Sequence, residues 1–395
     1  MSKQENKENS KQNDTLSDKD EEIIKNLNLS INIDNKDDSI KESQKKNNEE
    51  KNNKYIKKYK SHDSRLYGIT FQSSIESNII NFAVSSLNIS KDNSISLLSF
   101  QQEDLDEEEE NIIETNSNNI NIIESNPINL KSQVKCEFPV SSILFSPHEE
   151  NKNLLISTSD VLSIYSCKEG QLNHEKNFKP KTKDYCGPFT SCDWSKANKA
   201  IIGLSSVDKT CTIYDLNKNK EKYMIIAHDK EVYDISLGPD EFIFMSTGAD
   251  GSVRLFDSRQ ANSSSIIFET LDESPMTRLK WNLVNPNFIL TVIVDKNEIF
   301  ILDQRKLSAP YGILKVHTNV VNNAIWAPQS NSNLISVSDD KSALLWDIYC
   351  DSEKPEEYIM KYEAEKEIDN VAWGEVTQNW IGIIDGNQAE ILRIQ

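Results

Sequence analysis

The amino-acid sequence predicts an all-β fold: a propeller of seven blades, each a sheet of four short strands, preceded by a disordered N-terminal tail. A hydrophobic strand that ends in a large apolar residue occurs seven times. After a first interval of 74 residues, its spacings lie between 43 and 49 residues, which is the length of four short strands with their turns. The residues that end these strands are Phe71, Phe145, Trp194, Leu237, Trp281, Trp326 and Trp373.

A second segment repeats within the same units and carries an aspartate. The segment "VRLFDSR" at 253–259 returns as "CTIYDLN" at 211–217, "IFILDQR" at 299–305 and "ALLWDIY" at 343–349. Its aspartates lie at positions 215, 257, 303 and 347, so the intervals are 42, 46 and 44 residues. This period is too short for a pair of βαβ units and favours radially repeated sheets.

Two segments fall outside the repeat. Residues 1–54 contain no aromatic residue, proline or glycine, so they cannot bury enough apolar surface to offset their chain entropy. We predict a disordered polar tail there and the propeller over 55–395. An acidic, Asn-rich insertion at about 101–131 explains the long first interval. Such a loop costs only about 1.6 kcal/mol more closure entropy than a five-residue loop.

The sequence also predicts how the ring closes. The last unit ends in "AEILRI" at 389–394, its third strand, with no residues left for a fourth. The segment "KYIKKYK" at 54–60 precedes the first full unit and alternates Tyr or Ile with Lys, as an edge strand does. We therefore predict that it completes the last blade. Its lysines also fit a nuclear-import patch, and the sequence leaves that alternative open.

Composition excludes several classes of function. The net charge of −19, about half of it from residues 101–130, argues against direct nucleic-acid binding. There is no run of eighteen apolar residues and no signal peptide, so we expect no membrane contact and a location in the cytoplasm and nucleus. The cysteines form no CxxC pair or histidine cluster, so we expect no metal and no cofactor. They are Cys136, Cys167, Cys186, Cys192, Cys211 and Cys350.

A histidine and an aspartate in the segment 225–259 have the residue types of a catalytic triad. His228 lies nine residues before Leu237, and Asp250 lies six before Phe256. Because the same spacings return at His317 and Asp340 two units later, the pair belongs to the repeat and is structural. No GxSxG, Walker or HExxH motif occurs, so we predict no enzyme activity and no catalytic residues.

Seven four-stranded units of this kind resemble a WD40 β-propeller. In WD40 blades a histidine, a Ser or Thr, an aspartate and a tryptophan form a buried hydrogen-bond network. The resemblance implies that only blade six holds a full set, with Ser336 or Ser338 as the hydroxyl member, because Phe256 replaces the tryptophan in blade four. The network residues implied in this way are His228, Asp250, His317, Asp340, Trp346 and Asp208.

Blades three to seven carry more specific segments, among them "DYCGPFTSCDW" at 184–194 and "GADGSVRLFDSR" at 248–259. They resemble the WD40 scaffold family of the plant anthocyanin regulators, the transparent-testa-glabra type, whose animal member is a cullin-associated factor. The resemblance implies a non-catalytic adaptor that brings a dual-specificity tyrosine-regulated kinase, or transcription regulators of the basic helix-loop-helix and MYB classes, to their clients. We expect the ring to be a monomer.

We predict that partners dock on the face where each first strand begins. The residues that flank the inward Val232 and Val321 differ between blades, and Tyr233 is the expected hot spot. An ordinary solvated edge is the alternative. The predicted partner face consists of Glu231, Tyr233, Val320, Asn322, Thr190, Thr277, Glu367 and Asp369.

A competing prediction is a substrate receptor of a cullin-RING ubiquitin ligase. Receptors of that class resemble one another in a W-D-x-R ending of the third strand. The sequence approximates this ending at Asp257 with Arg259 and at Asp303 with Arg305. Each arginine also fits simple pairing with an acidic neighbour, so the sequence leaves the two interpretations open.

Overall fold

The computed structural model describes residues 56–61, 64–76, 78–89, 92–102, 128–179, 187–260, 263–307, 309–349 and 358–394. Within these residues the strands form seven antiparallel sheets of four strands, so the predicted all-β, seven-bladed propeller is confirmed. The predicted tail and most of the predicted insertion lie outside the described residues. Residues 129–131, assigned to the insertion by the sequence, instead begin the fourth strand of blade one. No described helix is long and apolar enough to cross a membrane.

Each blade is a simple meander in which neighbouring strands are consecutive in sequence, except in blade seven. Blade one consists of β2 (Leu66–Glu76), β3 (Ile79–Ser86), β4 (Asn93–Gln101) and β5 (Asn129–Cys136), and blade two of β6 (Ser142–Phe145), β7 (Leu154–Thr158), β8 (Leu162–Lys168) and β9 (Gln171–Phe178). Blade three consists of β10 (Phe189–Trp194), β11 (Ile201–Ser206), β12 (Thr210–Asp215) and β13 (Lys220–Ile226), and blade four of β14 (Val232–Leu237), β15 (Ile243–Gly248), β16 (Ser252–Asp257) and β17 (Ser264–Glu269).

The remaining blades follow the same order. Blade five consists of β18 (Met276–Trp281), β19 (Phe288–Ile293), β20 (Ile299–Asp303) and β21 (Gly312–Leu314), and blade six of β22 (Val321–Trp326), β23 (Asn333–Ser338), β24 (Ser342–Asp347) and β25 (Tyr358–Glu363). Blade seven consists of β26 (Asn370–Trp373), β27 (Trp380–Asp385) and β28 (Gln388–Arg393), and β1 (Ile56–Lys60) is its fourth strand. Among the residues that the structure describes, two single-turn 3-10 helices lie in loops, at Glu149–Asn151 and Ser258–Gln260.

The first strands of the blades line the centre of the ring. Each contacts the first strand of the next blade, and β26 contacts β2, so the contacts run around a closed circle. A cavity of about 210 Å³ lies among these strands. Apolar layers fill the spaces between adjacent blades. At the junction of blades seven and one, for example, the ring centroids of Trp380 and Phe100 are 4.9 Å apart.

The tryptophans that recur at the ends of first strands fix the turns that follow them. The indole N–H of Trp194, Trp281 and Trp373 donates to a carbonyl oxygen five residues later, at 3.0, 2.6 and 2.7 Å respectively. Trp326 donates instead to the carbonyl of Lys280 in blade five, at 3.0 Å. Each of these tryptophans therefore packs its apolar ring in the protein while its indole N–H makes a hydrogen bond, as is usual for tryptophans in protein interiors.

The turn between the second and third strands has the same backbone in three blades. Lys209, Gly251 and Lys341 have φ values of 73°, 72° and 68°. Glycine is required in blade four, because a Cβ at position 251 would lie 2.6 Å from Thr270 Oγ1 and 2.8 Å from the carbonyl carbon of Glu273. Blades three and six accept a lysine in this left-handed conformation at a cost in strain.

The amino-terminal strand closes the ring. Strand β1 pairs antiparallel with β28, from Ile56 opposite Leu392 to Lys60 opposite Gln388. It is the fourth strand of a blade whose other three strands come from the carboxyl-terminal end of the chain. The order expected from the sequence, with residues 389–394 in the third strand and the segment before blade one in the fourth, is found in the structure.

A buried glutamate reinforces this closure. Glu390 is fully buried on β28, and the Lys58 ammonium of β1 lies 2.5 Å from Glu390 Oε1. The hydroxyl of Tyr362, on the outer strand of blade six, donates to Glu390 Oε2 at 2.6 Å. One carboxylate therefore joins the closing strand, the last blade and its neighbour. Burial alone would lower the pKa of Lys58, but the hydrogen bond and charge of Glu390 raise it.

A second buried carboxylate in blade seven, that of Asp385, differs from Glu390 in its hydrogen bonding. Asp385 ends β27 and is fully buried, and neither of its carboxyl oxygens has a hydrogen-bond partner among the described residues. Burial, followed by the nearby charge of Glu390, raises the pKa of Asp385 to about 6. This is the behaviour of a carboxyl group that loses water without gaining donors.

Removal of the closing strand should open the ring. A chain that starts at residue 54 should keep the stability of the full chain, whereas one that starts at residue 61 should lose about 3–5 kcal/mol, because it lacks the strand that pairs with β28 and the cation of the Glu390 ion pair. Chemical denaturation of the two truncated chains measures the difference. Equal unfolding midpoints would show that β1 does not close the ring.

The raised pKa of Asp385 predicts a pH-dependent penalty. Asp385 is protonated in both the folded and unfolded states below about pH 4, so the penalty is absent there; it grows as pH rises and is complete above about pH 6. Asp385→Asn should therefore stabilise the ring at pH 8 by about 1–3 kcal/mol and have little effect at pH 4. Thermal unfolding at both values tests this, with the exposed Glu367→Gln as the control. A gain that is the same at both pH values would contradict the assignment.

Candidate interaction surfaces and the buried histidine networks

Blade six contains a four-membered hydrogen-bond network. His317, in the loop before β22, places Nδ1 2.9 Å from Asp340 Oδ2 and Nε2 2.7 Å from Ser336 Oγ. The indole N–H of Trp346 donates to the same serine oxygen at 2.8 Å. The hydroxyl member is thus Ser336, whereas Ser338 Oγ donates to the carbonyl of Asn319 at 3.2 Å.

The protonation states in this network follow from burial and bonding. Burial lowers the pKa of His317 despite the neighbouring Asp340, so the imidazole is neutral and Nδ1 donates to the carboxylate. Burial alone would raise the pKa of Asp340, but donors from Ser342, Thr318 and His317 lower it to about 2. The neutral imidazole and the hydrogen-bonded, ionised carboxylate are each in their favoured protonation state. This arrangement does not favour proton transfer between them.

Blade four contains a related network without the tryptophan. His228 Nδ1 lies 2.9 and 3.0 Å from the two oxygens of Asp250, and Nε2 lies 2.8 Å from Ser246 Oγ. In place of the indole donor, the ring of Phe256 stacks on Phe244 at 5.0 Å.

An arginine that the sequence analysis missed completes this network. Arg254 Nη2 donates to Asp250 Oδ2 at 3.0 Å and to Asp229 Oδ2 at 2.9 Å. Burial opposes ionisation of Asp250, yet the bonds from His228 and Ser252 hold its pKa well below its usual value. The available signal was the position of Arg254, four residues after Asp250 in the third strand.

Blade three keeps the aspartate in a different setting. Asp208 lies in the turn between β11 and β12, where its Oδ1 accepts from Thr210 N at 3.2 Å and from Thr210 Oγ1 at 2.5 Å. The residue in the tryptophan position, Tyr214, donates its hydroxyl to Asn219 at 2.6 Å. The position that holds histidine in blades four and six is Tyr185, which lies outside the described residues. Asp208 therefore shapes a turn here.

The buried pairs are not placed for catalysis. His228 and His317 are buried, and both ring nitrogens of each are engaged by carboxylate and hydroxyl groups of the same blade. Burial also raises the pKa of the Cys192 and Cys211 thiols to about 12, which leaves them unreactive. Within the described part of the chain, no three His, Cys, Asp or Glu side chains are grouped to hold a metal ion.

The predicted partner face lies where the first strands begin, around the mouth of the central cavity, and we call it the rim face. Of its eight residues only Glu367 is exposed. Asp369 is buried and its Oδ1 lies 2.6 Å from Arg65 Nη2, so it is not an open contact residue. Tyr233, expected as an exposed hot spot, is half-buried. The other half-buried residues are Glu231, Val320, Asn322, Thr190 and Thr277.

Several rim residues join blades to each other, which the sequence did not indicate. Thr190 Oγ1 donates to the carbonyl of Val232 in the next blade at 2.7 Å. Asn322 Nδ2 donates to the carbonyl of Ile368 at 2.9 Å and to Asp339 at 2.6 Å. Their polar groups are therefore partly committed to holding the ring.

A half-buried arginine, Arg278, connects blades that are not neighbours. Arg278 of blade five donates through Nε to the carbonyl of Asn322 at 3.0 Å and through Nη2 to the hydroxyl of Tyr67 in blade one at 2.9 Å. Asn370 of blade seven donates to the carbonyl of Tyr67 at 2.8 Å. These bonds cross the mouth of the cavity and fix the rim as a rigid surface.

The two Asp-x-Arg segments lie where the third strands end, and we call that side of the ring the fork face. Arg259 Nη2 is 2.6 Å from Asp257 Oδ2, and Arg305 Nη2 is 2.6 Å from Asp303 Oδ2. Each arginine makes a second bond through Nε at 2.9 Å, so both pairs are bidentate. The arginine side chains remain 59% and 62% exposed.

Comparisons with known proteins match this geometry. The WD40 family, described as "WD domain, G-beta repeat", matches residues 219–257 and 308–347, which contain the two histidine networks. The DDB1- and CUL4-associated factor 7 homologue of Dictyostelium discoideum is 34% identical over an alignment of 295 residues, and the match covers 71% of this chain and 89% of that protein. The chain belongs to the WD40 family of DDB1- and CUL4-associated factor 7.

More distant members of the WD40 superfamily match less of their own length. A WD repeat-containing protein of Schizosaccharomyces pombe is 31% identical and covers 54% of this chain and 55% of its own length. One of Saccharomyces cerevisiae is also 31% identical and covers 60% of this chain and 53% of its own length. The narrower resemblance to the plant anthocyanin regulators stays a prediction.

The network in blade six should contribute more to stability than a histidine on an exposed outer strand. His317→Ala removes one buried hydrogen-bond partner from each of Asp340 and Ser336 and leaves a cavity beside Trp346, so it should lower the free energy of unfolding by roughly 2–4 kcal/mol. His174→Ala, on an exposed outer strand, is the matched control and should cost less than about 0.5 kcal/mol. Urea unfolding followed by tryptophan fluorescence measures both. Equal effects of the two substitutions would remove the special role of the network.

Proposed function

We propose that this propeller is a non-catalytic adaptor that docks onto a cullin-4 ligase through its DDB1-type adaptor protein and presents client proteins to it. The observation that carries the proposal is the pair of exposed bidentate forks, Asp257 with Arg259 and Asp303 with Arg305, on one face of the ring. The name of the Dictyostelium relative, which associates that protein with DDB1 and CUL4, supports the same partner.

The fork geometry suits a docking role. Each guanidinium is held flat by its aspartate, so little side-chain entropy remains to be lost when a partner contacts it. The hydrogen bonds from Arg259 and Arg305 lower the pKa values of Asp257 and Asp303. The pairs therefore stay ionised across the physiological range, and the arginines present their remaining N–H groups to solvent.

A second candidate function is the scaffolding of a dual-specificity tyrosine-regulated kinase or of transcription regulators. The observation that favours it is the rigid rim face, on the opposite side of the ring from the forks, where exposed Glu367 and half-buried Glu231 and Tyr233 differ in chemistry between blades. The two functions are compatible, because a client on the rim face leaves the fork face free. We propose that the adaptor acts as a monomer in the cytoplasm and nucleus.

Substitution of the forks tests the ligase proposal. Arg259→Ala combined with Arg305→Ala should abolish co-purification of the purified DDB1-type adaptor, or weaken its affinity more than about 30-fold, if each arginine contributes at least about 1 kcal/mol. The matched control is Lys218→Ala, since Lys218 pairs at 3.2 Å with Asp215 at the end of the third strand of blade three. Undiminished binding by the double variant would refute the proposal.

Substitution of the rim tests the kinase candidate. Glu231→Lys with Glu367→Lys should reduce recovery of a dual-specificity tyrosine-regulated kinase at least about fivefold without affecting the ligase adaptor, because the two faces are separate. Quantitative co-purification with both proteins measures this, and the fork variant serves as the reciprocal control. Loss of both partners in either variant would indicate a folding defect, which a thermal midpoint checks.

A further inference from the structure

The central cavity among the first strands is bridged by bonded side chains at both ends. At the rim end, Arg278 of blade five donates to the Tyr67 hydroxyl of blade one at 2.9 Å. At the fork end, Lys196 Nζ lies 2.8 Å from Glu375 Oε1, and this ion pair joins the loops that follow β10 and β26. Blades three and seven are not neighbours, so the pair spans the opening. The volume of about 210 Å³ admits several water molecules or a small solute.

One level of the cavity wall carries no large apolar side chain. It consists of the residues that lie three positions before the apolar end of each first strand. Six of these seven residues line the cavity: Gly68, Ser142, Ser191, Arg278, Asn323 and Asn370. A cavity with polar groups on its wall holds water or a polar solute, whereas a cavity with a purely apolar wall stays dry.

Arg278 has more hydrogen-bond donors than the protein uses. Its guanidinium carries five N–H groups. Nε donates to the carbonyl of Asn322 at 3.0 Å and Nη2 donates to the Tyr67 hydroxyl, and both acceptors are neutral. No described carboxylate forms an ion pair with Arg278. Three N–H groups of a half-buried cation therefore face the cavity without a protein acceptor among the described residues.

The two carboxylates closest to this cation are bonded elsewhere. Asp234 accepts two backbone N–H groups, both at 2.9 Å, and its Oδ2 lies 3.4 Å from Lys280 Nζ. Asp193 accepts two further backbone N–H groups, at 3.0 and 2.7 Å. Neither carboxylate is part of the cavity wall, whereas Lys280 and Arg278 are. The charges of these four side chains balance, so the cavity attracts an anion through its unused donors and not through net positive charge.

Further donors come from the opposite side of the ring. The hydroxyl of Ser191 in blade three bonds to none of the residues in the described ranges. The hydroxyl of Ser142 in blade two accepts from the Cys192 thiol at 3.6 Å, which leaves its own O–H free to donate. Together with Arg278 and Lys280, these donors lie on more than one side of the cavity. A tetrahedral oxyanion accepts from several directions, whereas a carboxylate accepts only within one plane.

We infer that the central cavity binds one small tetrahedral oxyanion of the phosphate type. Arg278 and Lys280 are its charged donors, and Ser142 and Ser191 are its neutral donors. Because bonded pairs bridge both ends of the cavity, the ligand is a free ion and not a side chain of a docked partner. The ion supplies the negative acceptor that Arg278 lacks within the described protein. The inference does not depend on the proposed function.

Titration of the full chain with inorganic phosphate at constant ionic strength, followed by phosphorus NMR, tests the inference. One phosphate per chain should bind with a dissociation constant below about 1 mM. Arg278→Met removes the donors and should weaken binding at least about tenfold. Glu375→Gln removes a carboxylate from the cavity wall and should tighten binding about threefold. The control is Glu298→Gln, which breaks a surface pair with Lys315 at 2.7 Å and should leave the affinity unchanged.

The Glu375 variant keeps the test decisive if Arg278→Met does not fold, because it leaves the bonds of Arg278 in place and its expected effect has the opposite sign. Absence of saturable phosphate binding by the full chain overturns the inference. Affinity that is unchanged by Arg278→Met, or that Glu375→Gln alters no more than Glu298→Gln does, places the ion elsewhere and also overturns it. Displacement of the bound phosphate by a phosphoserine peptide would refute the assignment of a free ion.

Discussion

The pairing of β1 with β28 is the constraint on which the rest of the ring depends. Every other blade is assembled from one continuous segment, but blade seven joins residues that are 336 positions apart, such as Ile56 and Leu392. The bonds that cross the rim, including those of Arg278 and Asn370 to Tyr67, require blades one, five and seven to be in position together. An open ring would lose these bonds even with each blade intact.

Stability is distributed unevenly around the closed ring. Blades four and six have histidine networks, whereas blades three, five and seven rely on a tryptophan that donates to the turn after the first strand. Blade seven also contains an unfavourable group, Asp385, two strand positions from the favourable pair of Glu390 and Lys58. The blade that closes the ring thus contains both a buried ion pair with its closing strand and an unfavourable buried carboxylate. We therefore expect the ring to begin opening at this blade.

The repeat, the blade number and the closing strand were predictable from sequence, because certain residue types recur at the blade period. Examples are Trp194 at the end of a first strand and Asp250 in a turn. The choice of Ser336 over Ser338 was not, since both alternate onto the same side of one strand and only the position of the imidazole separates them. The burial of Asp369 depends on Arg65, 304 residues away, and no local sequence pattern predicts such a pair. Likewise, Tyr311 and Tyr349 from different blades come together over Phe288 only in the folded ring.

The closing strand has a consequence for how the protein is made. Strand β1 leaves the ribosome before any other part of the ring, and its partner β28 emerges more than three hundred residues later. At a synthesis rate of about 5–20 residues per second, β1 waits on the order of half a minute without its partner. During that time it carries an unpaired edge and the cation intended for Glu390, and the nascent blades expose apolar layers that only a finished ring covers. Blade seven can therefore form only after β28, the last strand of the ring, has been synthesised.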